Sequence, residues 1–236
     1  MSIFVPIVPL LELPSYTASP LYGVPKAADL RPRYSGLMNT GILLITLLLS
    51  KGAPAADWAP LFDGKTLKGW TQLGKADWTV RNGAITGRQG LGGEAGDLFT
   101  ESRWTDLDLE AEWRMRFPGN SGIWFRWSGA KTGYQADFIE EPAYPGVLSG
   151  SLYCMGKAFI GENRDASSVN REGWNRIRIR AVQDHLVVEQ NGRKVVDVRD
   201  GTFAGPGSVG IQVHAGKQYS GMEVQVRNIR LRPIDK

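Results

Sequence analysis

Five polar side chains stand in strand-like segments whose other members are largely apolar: Arg126, Gln135, Asp137, Gln212 and His214. A purely structural sheet does not need polar groups at such positions, because burial of apolar side chains is what stabilises a core. Histidine and aspartate can exchange protons, and arginine is a permanent cation with several hydrogen-bond donors. The residue types therefore indicate a polar site with acid–base chemistry.

The segments that must position these residues alternate apolar and polar side chains. The alternation is clearest in Leu107–Met115, Ile123–Trp127, Tyr134–Ile139 and Ile177–Ala181. A period of two is typical of half-buried strands. At least ten such strands can be counted, and no amphipathic helix longer than two turns is evident.

Turn signals separate these strands. Asn82-Gly83 and Asn191-Gly192 each predict a type I′ hairpin, and the 29 glycines and 23 aromatic residues suit a sandwich or barrel. We predict an all-β fold, a two-sheet antiparallel β-sandwich. The alternation predicts that the following apolar residues are buried: Ile123, Phe125, Phe138, Ile177, Ile179, Val209 and Ile211.

The same parity predicts which side chains share a face. Arg126, Gln135 and Asp137 should point away from the core, with Trp124 on the parity of Arg126. Gln212 and His214 share one face of their strand, and Glu112 shares one with Arg114. If these strands are neighbours, one concave polar pocket results. Purely structural explanations also remain open. Arg126 and Asp137 would then form a cross-strand ion pair, Trp124 would belong to the core, and Glu112 would be exposed to solvent.

Charge and cysteine content exclude several function classes. The net charge is +4, and the first 55 residues carry four basic and two acidic side chains, so the remainder carries only about +2. Arginines scattered along strands do not predict a nucleic-acid binder, which gathers basic residues into a patch or an arm. Cys154 is the single cysteine, so an intrachain disulfide or a CxxC metal site cannot form.

Residues 1–55 resemble a leader rather than part of the fold. The apolar run Ile42–Leu49 precedes Ala53-Pro54-Ala55, a small-x-small pattern that favours signal-peptidase cleavage before Ala56. Eight apolar residues are too few to span a bilayer. We predict a periplasmic or secreted protein with no stable membrane span in the mature form, and one domain over residues 56–236.

Several motifs of that domain resemble the 3-keto-disaccharide hydrolase family. They are LFDGKTLKGW (Leu61–Trp70), WTVRNGAITG (Trp78–Gly87), NSGIWFR (Asn120–Arg126), Trp174-Asn175, VGIQVH (Val209–His214) and VRNIRL (Val226–Leu231). The resemblance covers roughly Trp58 to Pro233. It implies the concanavalin-A-like jelly roll of lectins and glucanases, and a carbohydrate as the partner.

The resemblance also implies a reaction, the cleavage of a glycoside already oxidised at C3. A carbonyl at C3 acidifies the C2 proton; its removal gives an enolate that expels the C1 substituent, after which water adds. Such a site needs a base, a group that stabilises the enolate oxygen and a proton donor. On this reading His214 is the base, with Asp137 or Glu112 as the competing carboxylate, and Arg126 stabilises the enolate or binds a hydroxyl. Gln135, Gln212 and Trp124 would contact the sugar, and Tyr153 or Lys157 would protonate the leaving oxygen.

Two departures from the family pattern fall among these residues. The family shows Tyr-Glu-x-Gln where this chain has Tyr134-Gln135-Ala136-Asp137, and Asp-His-Gly where it has Val213-His214-Ala215. A non-catalytic carbohydrate-binding (lectin-like) domain is therefore the alternative. An ordinary laminarinase-type glucanase is a third and less favoured alternative, because Glu110 to Glu112 does not supply the Glu-x-Asp-x-x-Glu pattern. No cofactor is expected; a structural Ca²⁺ on carboxylates such as Asp97, Glu140 or Glu141 is the one open possibility.

Overall fold

A computed structural model of the chain describes residues 57–129, 132–141 and 143–234. Within these ranges the chain forms fifteen strands and two short 3₁₀ turns, Ala166–Ser168 and Lys217–Tyr219. All strand pairs are antiparallel, so the all-β prediction is confirmed. The leader predicted for residues 1–55, with its cleavage site, lies outside the described residues and stays a prediction.

Sheet A contains eight strands, one of which, β1, pairs with β15 outside the main path. In spatial order the other seven are β13 (Arg193–Arg199), β12 (His185–Gln190), β11 (Asn175–Val182), β6 (Leu107–Met115), β15 (Glu223–Pro233), β4 (Ala84–Arg88) and β3 (Asp77–Arg81); β1 is Ala59–Pro60.

Sheet B contains the seven remaining strands. In spatial order they are β10 (Ala158–Asn163), β9 (Leu148–Cys154), β8 (Tyr134–Glu140), β7 (Gly119–Trp127), β14 (Ser208–Val213), β5 (Gly96–Thr100) and β2 (Trp70–Gly74). Strands that are distant in sequence, such as β5, β7 and β14, are thereby made neighbours.

One apolar core lies between the two sheets. It joins inward-facing side chains of sheet A, such as Trp113 and Ile179, to those of sheet B, such as Phe125, Phe138 and Ile211. Trp113 stacks on Phe138 with ring centroids 4.0 Å apart. The seven residues predicted to be buried are all buried, which confirms the alternation for those positions.

Both predicted hairpins are present. Asn82 and Gly83 have φ of 49° and 75°, and Asn191 and Gly192 have φ of 49° and 78°. Two consecutive residues with positive φ are the requirement of a type I′ turn, which Asn-Gly meets at little steric cost. The turns fix the registers of β3 with β4 and of β12 with β13.

The outer face of sheet A, turned away from sheet B, carries a ladder of ion pairs. Its carboxylates on β6 are matched by arginines on the flanking strands β11 and β15: Asp108 with Arg178 and Arg232, Glu110 with Arg176 and Arg230, and Glu112 with Arg227. Arginines scattered in sequence therefore lie together on one face, because β11, β6 and β15 are adjacent. Most of them are paired with carboxylates rather than free.

Among the described residues, no helix is both long enough and apolar enough to cross a bilayer.

Candidate functional site

A polar row crosses the outer face of sheet B, the face turned away from sheet A. The strand registers place Asp97 (β5) opposite Gln212 (β14), Gln212 opposite Gly122 (β7), and Gly122 opposite Asp137 (β8). The chain neighbours of these residues, such as Leu98 and Ile211, belong to the core, so the row must face outward. At about 4.8 Å per strand, the Cα atoms of Asp97 and Asp137 lie about 14 Å apart.

A second row beside it is mainly aromatic. Gly210 pairs with both Phe99 and Trp124, Trp124 pairs with Gln135, and Gln135 pairs with Tyr153. Phe99 and Trp124 are buried and Tyr153 is half-buried, so Tyr153 is the ring of this row most open to a ligand, and its flat apolar surface with a polar hydroxyl suits a sugar ring. The outer face of sheet B thus combines carboxylates, amides and aromatic rings.

Gly122 provides the floor between the two carboxylates. Gln135 crosses above it, and Nε2 of Gln135 donates a hydrogen bond to Oε1 of Gln212 at 3.1 Å. A Cβ atom at Gly122 would lie 2.7 Å from the carbonyl oxygen of Ala136 and 2.8 Å from Cγ of Gln135. The absence of a side chain at this position is what lets the two amides meet.

Asp97 is a carboxylate with raised basicity. Nε1 of Trp124 donates a hydrogen bond to its Oδ1 at 2.9 Å. Burial raises the pKa of Asp97 to about 6, against the opposing effects of the Trp124 hydrogen bond and the charge of His214. A carboxylate with a pKa near neutrality is ionised at pH 7 yet retains affinity for a proton, as a general base must.

Asp137 is the most deeply buried carboxyl of the row. It is 4% exposed, and its Oδ1 has no hydrogen-bond partner among the described residues. Burial, and secondarily the charge of Glu141, raises the pKa of Asp137 well above its usual range. A carboxyl that holds its proton more firmly than usual can donate a hydrogen bond, as a buried carboxylic acid does in an oxyanion hole.

His214 lies at the rim of this face. Its Nδ1 donates to the carbonyl oxygen of Ala215 at 2.6 Å, which leaves Nε2 to exchange a proton. The ring packs edge-on against Tyr219, with centroids 5.5 Å apart, and the His214 amide donates to the carbonyl of Asn120. Asn120 in turn donates from Nδ2 to Glu141. Asn120 therefore connects the backbone of the histidine to Glu141, whose charge helps to raise the pKa of Asp137.

The structure brings together six of the residues proposed from sequence: Trp124, Gln135, Asp137, Tyr153, Gln212 and His214. Tyr153 is half-buried, and burial raises its pKa, so it remains a proton-bearing hydroxyl. The exposed fraction of Trp124, of Gln135 and of Asp137 is 4% each, although all three lie on an outer face. The outer face of sheet B is thus partly shielded from water at these positions.

Arg126 does not share this face, and the prediction that it does is wrong. Its guanidinium donates to the carbonyl oxygens of Thr105, Gln183 and Phe203 and to Asp106, at 2.6–3.2 Å, and it is 1% exposed. The cause is a bulge, because Arg126 has a φ of 52° and the register of β7 with β14 shifts between Ser208 and Gly210. A bulge reverses the alternation beyond it, so Arg126 follows Phe125 into the space between the sheets.

Glu112 and Lys157 also lie away from the row. Glu112 is on the outer face of sheet A, where its Oε2 accepts from Arg227 at 2.8 Å. Lys157 pairs with Asp200 at 2.6 Å, and Asp200 accepts a hydrogen bond from Tyr134, a core residue. The predicted roles of Glu112 as competing carboxylate and of Lys157 as proton donor are not supported by this placement.

Three contributors to the site were not identified as such from sequence. The sequence suggests Asp97 only as a calcium ligand and Asn120 only as the first residue of the NSGIWFR motif, and it does not single out Tyr219. Asp97 does have a local signal, because it is the single charged residue in the alternating strand Gly96–Thr100. What sequence does not contain is the adjacency of β5 to β14.

The carboxylates proposed for calcium are not gathered around one point. Asp97 accepts from Trp124, Glu140 pairs with Arg171 at 2.7 Å, and Glu141 accepts from Asn120. No group of three or more His, Cys, Asp or Glu side chains within residues 57–129, 132–141 and 143–234 is arranged to hold a metal ion.

Comparisons with solved structures identify the fold. A Bacillus subtilis protein with a galectin-like fold aligns over 78% of this chain and 98% of its own length, with a TM-score of 0.62 at 10% identity. The Bacillus subtilis carbohydrate-binding module CBM66 aligns over 70% of this chain and 95% of its own length, with a TM-score of 0.54 at 18% identity. At these identities the likeness shows the lectin-type sandwich alone.

Sequence comparisons identify the family. A 3-keto-disaccharide hydrolase of Bacteroides thetaiotaomicron is 29% identical over 171 residues, 61% of this chain and 59% of that protein, so this chain spans less than two thirds of that relative. Residues 57–232 match the profile of the 3-keto-alpha-glucoside-1,2-lyase-like domain. The match covers nearly the whole described sandwich, and the chain therefore belongs to the 3-keto-alpha-glucoside-1,2-lyase-like domain family.

Proposed function

We propose that this domain cleaves 3-keto-glycosides by removing the C2 proton and eliminating the C1 substituent, and that the outer face of sheet B is its active site. The observation that carries the proposal is the state of Asp137, a buried carboxyl whose Oδ1 lacks a partner and whose pKa is raised well above its usual range. A neutral carboxylic acid directed at a polar site is suited to a developing enolate oxygen. Family membership supports a glycoside as the substrate.

Each step of the reaction has a candidate residue. Asp97, as the carboxylate, accepts the proton from C2, and the C2–H bonding electrons form the enolate with its negative charge on the C3 oxygen. The protonated carboxyl of Asp137 and the amides of Gln135 and Gln212 donate hydrogen bonds to that oxygen. Collapse of the enolate restores the C3 carbonyl, forms the C1–C2 double bond and expels the C1 substituent, which His214 protonates from Nε2.

Water then completes the hydrolysis. It adds to C1 of the enone, and a proton returns to C2, so the sum of the steps is hydrolysis without oxidation or reduction. The assignment moves the base from His214 to Asp97, because Asp97 lies within the polar row whereas His214 lies at its exposed rim. It also replaces Arg126, which lies between the sheets, by Asp137 as the group that stabilises the enolate.

The lectin-like alternative predicts a different kind of surface. A lectin needs a shallow, exposed groove, whereas elimination needs convergent polar groups shielded from water. The low exposure of Trp124, Gln135 and Asp137 favours the enzyme.

The test is incubation of the full chain with a 3-keto-glucoside, and separately with the unoxidised parent glucoside, in heavy water. Nuclear magnetic resonance should detect cleavage of the keto sugar alone, with deuterium at C2 of the product. Asp97→Asn should lower turnover by about 10²–10⁴-fold and remove C2 exchange, whereas Asp77→Asn, at an exposed position of β3, should leave both unchanged.

His214→Gln should separate the two proton transfers. Exchange at C2 should persist while release of the C1 substituent slows, because the proton donor and not the base has been removed. Cleavage of the unoxidised glucoside at an equal rate would refute the mechanism. Saturable sugar binding with no turnover would establish the lectin-like function instead.

A further inference from the structure

A cleft of about 800 Å³ lies at one end of the outer face of sheet A, and Gln89 in its lining donates hydrogen bonds to the carbonyl oxygens of Gly216 and of His214, the residue at the rim of the proposed active site. Four arginines from three parts of the fold line it: Arg88 on β4, Arg114 and Arg116 at the end of β6, and Arg171 in the segment before β11. Two glutamates, Glu172 and Glu223, line it as well. The lining therefore has an excess of two positive charges.

Several of the arginines are held in fixed positions. Arg88 pairs with Glu223, Nε2 of Gln225 donates to Glu223 at 2.7 Å, and Nε of Arg114 donates to Oε1 of Gln225 at 2.7 Å. The Arg114 guanidinium also lies 4.8 Å from the ring centre of Trp174. A guanidinium that is already oriented loses less entropy when it binds a ligand, so this chain of contacts favours binding.

Two of the four arginines retain free donors. Arg114 uses only Nε in the chain of contacts, and neither Arg114 nor Arg116 forms an ion pair with any described residue. Arg171 is neutralised from outside the cleft by Glu140, while its guanidinium lies 5.5 Å from the ring centre of Phe117. Among the described residues of the lining, the charges outside ion pairs are therefore those of Arg114 and Arg116 and that of one carboxylate, Glu172.

These features select the ligand chemistry. A planar guanidinium binds a carboxylate or sulfate through two parallel hydrogen bonds, which a lysine in its place could not do. The cleft is larger than one small anion requires and falls in the range of sites for small organic molecules. Phe117, which is partly buried against the core residues Met115 and Met222, adds an apolar surface on which the C–H face of a sugar ring can pack.

We propose that this cleft is a second saccharide site, which binds an acidic glycan through the carboxylate or sulfate groups on its sugar rings. The proposal does not depend on the reaction assigned to sheet B, because no residue of the cleft belongs to the polar row. A domain with both sites would be held on an acidic glycan while the other sheet acts on its substrate.

The test is calorimetric titration of the full chain with tetragalacturonate, with maltotetraose as the neutral ligand of equal length and inorganic phosphate as the simple anion. Tetragalacturonate should bind, and more weakly as salt is added, while maltotetraose should not bind at this site. The variant Arg114→Gln/Arg116→Gln should lose about tenfold or more in affinity, because two charge-assisted contacts are removed.

The matched control is Arg81→Gln/Arg180→Gln, which removes the same charge from exposed sheet A positions outside the cleft. Its affinity should stay within about twofold of the original, since long-range charge is largely screened in buffer. Arg116→Gln alone, at a side chain with no described hydrogen bond, serves if the double variant does not fold. Equal losses in both double variants, equal binding of maltotetraose, or phosphate binding as tight as that of tetragalacturonate would overturn the proposal.

Discussion

Nη2 of Arg126 donates to Oδ1 of Asp106 at 3.0 Å, and both side chains are buried at the end of the sandwich opposite His214. The same guanidinium donates to three backbone carbonyls. One arginine thus satisfies acceptors from the start of β6, the β11–β12 turn and the loop after β13. Its position in the fold indicates a structural role.

Replacement of Arg126 by Met should destabilise the domain by about 3–5 kcal/mol, because Asp106 would be left as a buried charge without its partner. Urea unfolding measures this loss. The double variant Arg126→Met/Asp106→Leu should recover part of it, since no unpaired charge remains. At a temperature where both variants are folded, the C2 exchange rate should match that of the original protein. A specific loss of C2 exchange without loss of stability would return Arg126 to the catalytic site.

Asp97 should make stability depend on pH. Burial raises its pKa from an ordinary 3.8 to about 6, so the folded state binds the proton more tightly than the unfolded state does. Its contribution to stability is therefore full below about pH 4 and is lost as the pH rises through about 6. Asp97→Asn should raise the free energy of unfolding by about 1–3 kcal/mol at pH 8 and change it little at pH 4.

Urea unfolding of both proteins at the two pH values measures this difference. Asp77→Asn is the control, because Asp77 is an exposed residue at the start of β3. A gain of equal size at pH 4 and pH 8 would contradict a raised pKa for Asp97. An Asp97→Asn variant that is more stable at pH 8 but inactive would show that the site retains this carboxylate for catalysis at a cost in stability.

Much of this architecture follows from local sequence. Alternation of apolar and polar residues identifies the strands and their core faces, and Asn-Gly at two points fixes two hairpins, since both depend on interactions within a few residues. The reversed orientation of the Arg126 side chain does not follow from the alternation. It requires a β-bulge in β7 and a residue without a side chain, Gly207, beside the Arg126 backbone. A Cβ atom at Gly207 would lie 2.1 Å from the carbonyl carbon of Arg126.

Strand order is the other feature that alternation does not contain. The alternation correctly predicts that Glu112 and Asp137 both lie on an outer face, but it does not show that Glu112 is on sheet A and Asp137 on sheet B. Asp97 enters the site only because β5 pairs with β14, and its partners Trp124 and Gln212 are 27 and 115 residues away in sequence. Such pairings depend on the packing of the entire domain.

Trp124→Phe should change the pH dependence of catalysis. The indole hydrogen bond stabilises the ionised form of Asp97 and so lowers its pKa. Without that bond the acidic limb of kcat/KM, expected near pH 6, should move upward by about 0.5–1 unit. Trp127→Phe is the matched control, because Trp127 stacks on Phe99 with centroids 3.8 Å apart and does not contact Asp97 through a hydrogen bond. Equal shifts in both variants would indicate a general change in the site and not the loss of the indole donor.

Gly122→Ala should disrupt the floor of the site. The added methyl group would lie 2.7 Å from a backbone oxygen of the neighbouring strand β8, which cannot move away as a side chain could, and 2.8 Å from Cγ of Gln135. Overpacking of this kind costs about 1–3 kcal/mol. Gln135 should be displaced from Gln212, so kcat/KM for a 3-keto-glucoside should fall about tenfold or more, since small displacements of positioning groups have large kinetic effects.

Gly205→Ala, where a Cβ atom would meet no atom within 4 Å, should leave stability and kinetics unchanged. If Gly122→Ala instead retained full activity, the amide pair over Gly122 would have no part in holding the substrate, and the enolate oxygen would have to be stabilised by Asp137 alone.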